Sequence, residues 1–404
     1  MRILTLASWW PAPTDNGIKL RIAHLLHALA QEHTIHLAAL LDAPPDAAAN
    51  DLSALCASAV FAVRHNRPRG RAERLADLLG REPASVRASW SDEFAALVCE
   101  RAVTVNPDLV LVFELGTAVY AHLVPGVPRV LEDLESIHMA DQVNCRPAGP
   151  QRARARLTWW KHRRFVRDLL QDYALCTVAS ARELALAQTF APSHIRLAVI
   201  PNGADVSGSE ENWGLPEPDT LIYPGSLTYD LNFDAMHYFL GEILPRVRAC
   251  RPGVRLIITG KTTPELCASL PPAAGVQFAG LVPDIRPLVA RAWAEVVPLR
   301  HGSGTRLKVL EALALGTPVV STSKGVEGLE LDHERHILLA NGAEAFSLAT
   351  VRLLNDGALR EQLAVAGRAA VRERYDWREI GDRLNGLLSE VACAARVNRT
   401  GAQP

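Results

Sequence analysis

The segment His301-Gly302-Ser303-Gly304-Thr305-Arg306-Leu307-Lys308-Val309-Leu310-Glu311 gathers groups suited to holding a phosphorylated ligand. Gly302 and Gly304 let the backbone approach a ligand closely, and the free N–H groups of a helix opening behind them form an anion site. Lys308 and Glu311 are three residues apart and share one face of that helix. A cation there neutralises phosphate, and a carboxylate accepts hydrogen bonds from both hydroxyls of a ribose. The helix then closes at Gly316, with Pro318 starting the next strand.

A second set follows the apolar run Val130-Leu131. Glu132 and Asp133 stand where a parallel strand ends, which is where α/β folds open their ligand crevices. The alternative is a pair of carboxylates that cap the next segment, with His138 as a loop histidine. A third set is the segment Arg146–Arg167, with eight cationic residues, Trp159 and Trp160, and no acidic residue. Cations with interfacial aromatics suit an anionic membrane surface or a polyanionic acceptor. A solvated basic helix with its tryptophans packed inward fits equally, and no nucleic-acid-binding module accompanies the segment.

These residues require a frame of alternating strands and helices. Apolar runs at Ile3–Ala7, Ile35–Leu40, Leu109–Phe113, Arg129–Leu131, Leu175–Val178 and Leu197–Ile200 predict one parallel sheet. Runs at Leu221–Tyr223, Arg255–Thr259, Gly275–Phe278, Glu295–Val297, Pro318–Ser321 and His336–Leu339 predict a second. Helical patterns at Gly17–Ala30, Phe233–Val247, Thr305–Leu315 and Glu344–Leu354 lie between them. The Ala-rich stretch Asp42–Ala59 reads as a weak helix or a loop. Pro201–Asp205 ends the first series, and the polar, Gly- and Pro-containing stretch that follows, up to Asp219, reads as a linker. The expected domains are 1–205 and 206–376, with 377–404 a terminal helix and tail that crosses back onto the first domain.

Composition sets bounds. A chain of 404 residues suits two domains better than one core. The net charge of −1 favours neither nucleic acid nor acidic partners. Seven scattered cysteines, none at metal-ligand spacing, fit a reduced, cytoplasmic compartment. The histidines form no ligand-like cluster, so no metal is expected. No segment reaches the length of about twenty apolar residues that spans a membrane, and the apolar N-terminus is short for a signal peptide. No G-x-G-x-x-G follows the first strand of either half, which argues against a dinucleotide enzyme.

The His301–Val320 segment resembles the donor-binding signature of family 4 glycosyltransferases, retaining enzymes with the GT-B fold, and of their bacterial exopolysaccharide-type members. Further resemblances run along nearly the whole chain in the family's order. They are Trp10–Gly17, which includes Asn16 and is followed by Arg21 on the helix behind; Val199–Asp205; Pro224-Gly225-Ser226-Leu227; Ile258-Thr259-Gly260-Lys261; and Phe278–Asp284, which includes Val282 beside the nucleobase. The resemblance implies an α/β fold of two Rossmann-like domains facing across a cleft. It implies transfer of a hexose-type unit from a nucleotide diphosphate sugar to a glycan or lipid-linked acceptor, without a cofactor or catalytic metal. Glu311 would hold the ribose.

The first glutamate of the family pair falls on Ser303, so sugar recognition would rest on the backbone from Gly302 to Thr305 or on other groups. Many members carry an arginine and a lysine shortly after the Pro224-Gly225 position; this chain has Tyr229 and Asn232 nearby, which leaves Lys261, Arg306 and Lys308 as phosphate partners. Asp133 or Glu132 would orient the acceptor or stabilise positive charge at the sugar carbon. Two alternatives share these features: a non-catalytic sugar-nucleotide sensor or scaffold, and a sugar-nucleotide epimerase. A peripheral place on the inner membrane face, through Arg146–Arg167, is the companion expectation to a cytoplasmic one.

Overall fold

The computed structural model describes residues 1–404 except 15, 46–50, 53, 65–82, 84–85, 88–89, 208–210, 212, 303, 305 and 401–404. The chain divides into two compact units, Met1–Pro201 with Arg378–Pro404, and Asn202–Trp377.

The first unit holds β1 (Arg2–Ala7), β2 (Thr34–Leu41), β3 (Ser58–Val63), β4 (Leu109–Phe113), β5 (Arg129–Glu132), β6 (Leu175–Val178) and β7 (Arg196–Val199). They form a parallel seven-stranded sheet in the order β3-β2-β1-β4-β5-β6-β7. Every residue of Leu109–Phe113 and Leu175–Val178 is buried, as expected when helices cover both faces. The strand Ser58–Val63 replaces the end of the stretch read as a weak helix or loop. β-branched and aromatic side chains at Val60, Phe61 and Val63 favour a strand there, and pairing with β2 sets the register.

The second unit holds β8 (Glu217–Pro224), β9 (Arg255–Thr259), β10 (Val276–Gly280), β11 (Ala292–Val297), β12 (Val319–Ser321) and β13 (Leu338–Leu339). Its parallel sheet runs β10-β9-β8-β11-β12-β13. The first strand begins at Glu217, inside the stretch read as linker. The helix read as Phe233–Val247 starts at Asp230 and passes through a π-helical turn at Phe239–Ile243 before continuing as Leu244–Cys250. Pro245 lies in the first turn of that last segment and has no N–H for an i−4 carbonyl, and the wider turn accommodates it.

In each sheet the chain grows to one side, then returns past its first strand to build the other side. The turning points lie between β1 and β4 and between β8 and β11. At such points the loops leaving two neighbouring strands diverge and open a crevice at their C-terminal ends.

Candidate functional site

In the second unit the loops at the turning point are Pro224–Leu227 after β8 and Pro298–Arg306 after β11. The β9 turn adjoins the first of them. Gly260, at φ +97°, lies so close to it that a Cβ would stand 2.6 Å from the Ser226 amide nitrogen and 2.7 Å from the Gly225 carbonyl carbon. Only glycine fits that approach. The Lys261 carbonyl accepts from the Leu227 N–H at 2.9 Å and the Ser226 hydroxyl at 2.9 Å, which ties the two turns together. The Lys261 side chain is exposed.

The loop after β11 is tied from both sides. The Thr322 hydroxyl donates to the Leu299 carbonyl, and Arg300 pairs with Asp234 while lying 4.5 Å from the Tyr238 ring centre. Gly302 and Gly304 adopt φ +103° and +88°. A Cβ on Gly302 would stand 2.5 Å from Leu231 and 2.9 Å from the Arg306 guanidinium. The helix opens at Leu307, not at Thr305, with Arg306 as its preceding residue. Ser303 and Thr305 lie outside the described residues.

From that helix Lys308 reaches back to the β8 loop. Its ammonium donates to Asn232 Oδ1 at 3.2 Å and lies 3.9 Å from the Tyr223 ring centre. A Cβ on Gly225 would stand 2.8 Å from Lys308 Nζ, so the cation sits directly under the loop backbone. Asn232 also accepts from the Tyr223 hydroxyl at 2.7 Å and donates to the Ser226 carbonyl at 2.9 Å. Burial draws the Lys308 ammonium down to about 8, against the opposing pull of Glu295 and Glu311. Burial likewise lifts Glu311 above the ordinary carboxyl range, with Lys308 working against it. Gly225, Gly302, Arg306, Lys308 and Glu311 are therefore assembled by three neighbouring elements. Val282 is half-buried in the loop beyond β10, on the far side of β9 and β8.

One further carboxylate belongs to this cluster. Glu295 of β11 is wholly buried, neither of its oxygens accepts a hydrogen bond, and burial holds its carboxyl well above the usual range beside Lys308 and Glu311. A charged residue inside the apolar run Ala292–Val297 was the sequence signal for it.

In the first unit, Glu132 ends β5 as a buried carboxylate. Its carboxylate is buried and taken up by the Arg21 guanidinium, with a further contact from the Thr177 hydroxyl at 3.4 Å. Arg21 also donates to the Ile200 carbonyl at 2.7 Å and the Pro201 carbonyl at 3.0 Å. Asp133 differs: its side chain is 24% exposed, lies 3.6 Å from Arg21, and its backbone takes φ +61°. Its neighbour at the end of β4, Glu114, also has a positive φ of +69°. Burial, with Asp133, Glu135 and Glu132 nearby, pushes the Glu114 carboxyl up to about 8, against a hydrogen bond from Trp9. The sequence offered Glu114 by the same rule as Asp133, since it directly follows an apolar strand. Asn16 caps the helix Gly17–Ala30, accepting from the Lys19 N–H at 3.0 Å, so its side chain serves the helix end. His138 pairs with Gln142 at 2.7 Å on the surface. Among the described residues no cluster of three or more His, Cys, Asp or Glu side chains could hold a metal ion.

Residues 218–356, which contain this second-unit cluster, match the family model described as glycosyl transferases group 1. Over that stretch the chain is similar to group 1 glycosyltransferases. It is 32% identical over 205 residues to a phosphatidyl-myo-inositol mannosyltransferase of Mycobacterium leprae, covering 48% of this chain and 53% of the relative. It is 27% identical over 242 residues to a glycogen synthase of Mycobacterium tuberculosis, covering 57% and 56%. The chain thus spans about half the length of the curated relatives it matches.

Solved structures share the fold over nearly all of it. Sucrose-phosphate synthase of Thermosynechococcus elongatus superposes with a TM-score of 0.72 at 18% identity, covering 98% of this chain and 100% of that one. Anabaena HepE in complex with UDP and glucose gives 0.66 at 18% identity, covering 96% and 100%. The two parallel-sheet units are those of the GT-B class, as the resemblance implied.

Proposed function

We propose that this chain transfers a sugar from a nucleotide diphosphate sugar to a hydroxyl of a glycan or lipid-linked acceptor, with retention of configuration, in surface polysaccharide or glycoconjugate synthesis. The observation that carries the reading is the buried Lys308 ammonium under the Gly225 backbone, with Glu311 one helical turn further along, at the turning point of the second sheet. A diphosphate in this crevice meets Lys308, Arg306 and loop amides, while Glu311 accepts from the ribose hydroxyls. As the acceptor oxygen replaces the phosphate oxygen on the anomeric carbon, negative charge grows on the departing diphosphate, where those cations stabilise it. Asp133 is the acceptor-side carboxylate, and Glu132 supports it by holding Arg21. The names of the mannosyltransferase and glycogen synthase relatives accord with sugar transfer.

Calorimetry of the purified chain against UDP-, GDP-, ADP- and dTDP-sugars, with NAD as control, tests the proposal. One sugar nucleotide is expected to bind and to be slowly hydrolysed or transferred. Glu311→Ala should weaken that binding at least about fivefold, some ~1 kcal/mol, for a lost charge-assisted hydrogen bond. Unchanged affinity in a folded Glu311→Ala variant removes Glu311 from the site. Binding of NAD alone overturns the reading, and binding without turnover leaves a sensor.

A further inference from the structure

The helix Pro150–Leu169 in the first unit has two unlike sides. Ala155, Lys161, His162, Val166 and Leu169 are buried, and Trp159 packs edge-on against Phe190 at 5.7 Å between ring centres. On the opposite side stand Arg156, Leu157, Trp160, Arg163, Arg164 and Arg167. At 100° per residue these six fall within an arc of about 120°, one continuous stripe along the helix. Trp160 is 50% exposed and Leu157 38%. Arg164 stacks toward the Trp160 ring at 5.8 Å. Among the described residues, the Asp168 carboxylate stands at the end of the stripe, 3.8 Å from Arg164 and 3.7 Å from Arg167.

We infer that this stripe docks on an anionic phospholipid bilayer, with Trp160 and Leu157 entering the interface and the arginines meeting lipid phosphates. Exposing a tryptophan and a leucine to water is unfavourable on a free surface, and both belong at the boundary between headgroups and acyl chains. Arginine is the cation that forks onto phosphate oxygens. A shallow depression of about 160 Å³ lined by Trp160, Arg163, Arg164, Arg167, Thr189 and Phe190 offers room for one phosphodiester headgroup. No described helix is long and apolar enough to cross a membrane, so such docking is peripheral. The inference stands apart from the proposed sugar transfer, because no residue of the stripe belongs to the nucleotide cluster.

The test is co-sedimentation of the full chain with phosphatidylcholine vesicles, with and without phosphatidylglycerol. Binding is expected only with phosphatidylglycerol and should weaken as salt rises. Arg163→Glu with Arg167→Glu should lower the bound fraction about tenfold, whereas Arg163→Lys with Arg167→Lys keeps most of it. Trp160→Ala should weaken binding while preserving the salt dependence, and it decides the matter if the glutamate variant fails to fold. The inference is overturned by equal binding to neutral vesicles, or by equal binding of wild type and a folded glutamate variant. Saturable inorganic phosphate binding without vesicle binding, or tighter binding of RNA than of vesicles, overturns it too. Nucleotide-sugar calorimetry on the same variants should give wild-type affinity, which separates this surface from the donor site.

Discussion

Lys308 keeps an ammonium group where little water reaches it, and its neighbours take over what solvent would have done. Asn232 accepts a hydrogen bond from it, the Tyr223 ring offers a negative face, and the Glu295 and Glu311 carboxyls work to keep it protonated. Burial wins over these contributions and brings the group to about 8. A diphosphate that depends on this cation is therefore held well at pH 7 and progressively less well as pH rises through about 8. Glu295 works against burial at the lysine, so Glu295→Gln, which keeps the shape but cannot ionise, should move that loss of affinity to lower pH. Nucleotide titrations at a series of pH values check this, and superimposable wild-type and variant profiles would sink it. That Lys308 and Glu311 share one helix was legible from their spacing. The role of Asn232 was not, because an amide gains meaning only from the three groups it touches, and those come from distant parts of the chain. Glu132 and Asp133 look equivalent in sequence. The structure separates them by pointing one at Arg21 inside and leaving the other partly exposed.

At the scale of elements, the site depends on how closely two turns can pack. The β8 and β9 loops meet backbone to backbone at Gly260, where the nearest atoms are the Ser226 nitrogen and the Gly225 carbonyl carbon. Main chain anchored at the ends of β8 and β9 cannot rotate away as a side-chain tip would. Gly260→Ala should accordingly cost about 2 kcal/mol or more, combining a positive φ with overpacking, and should weaken nucleotide binding by displacing the Gly225 loop. Urea denaturation together with nucleotide titration measures both, and a variant within ~0.5 kcal/mol of wild type with unchanged affinity contradicts the argument. The strands that position this site were readable because a buried parallel strand is a continuous apolar run. Elements governed by a local exception were not. β3 follows an Ala-rich stretch with no clear period, and the π-helical turn near Pro245 answers a missing N–H that periodicity does not register. The helix starts at Leu307, two residues beyond the start its sequence suggests, because a run of glycine, serine and threonine offers several acceptable caps and leaves the start ambiguous.

At the scale of the molecule, the first unit is made of two separated pieces of sequence, 1–201 and 378–404. The helix Trp377–Thr400 buries Ile380, Leu384, Leu388 and Val391, at the spacing of one helical face. Gly381 faces Ala28 so closely that a Cβ would stand 2.3 Å from the alanine methyl carbon. Asn385 donates to the Ala28 carbonyl at 3.5 Å, Glu390 pairs with Arg196, and Arg396 lies 3.6 Å from Asp108. Surface pairs of this kind add little, so the apolar face supplies most of the attachment. Four buried aliphatic side chains at about 1.5–3 kcal/mol each amount to a large part of a domain's net stability of about 5–15 kcal/mol. A chain ending at Trp377 should therefore lose the thermal transition of the first unit, or show it many degrees lower. Its second unit retains every strand of its own sheet and should keep its transition. Gly381→Val is the gentler version: it leaves the helix in the chain but forces it off Ala28, and should lower the first transition alone. Calorimetric scans of the three proteins decide between this account and one in which the terminal helix is a dispensable appendage, for which all the scans would coincide apart from the fraying of a loose end.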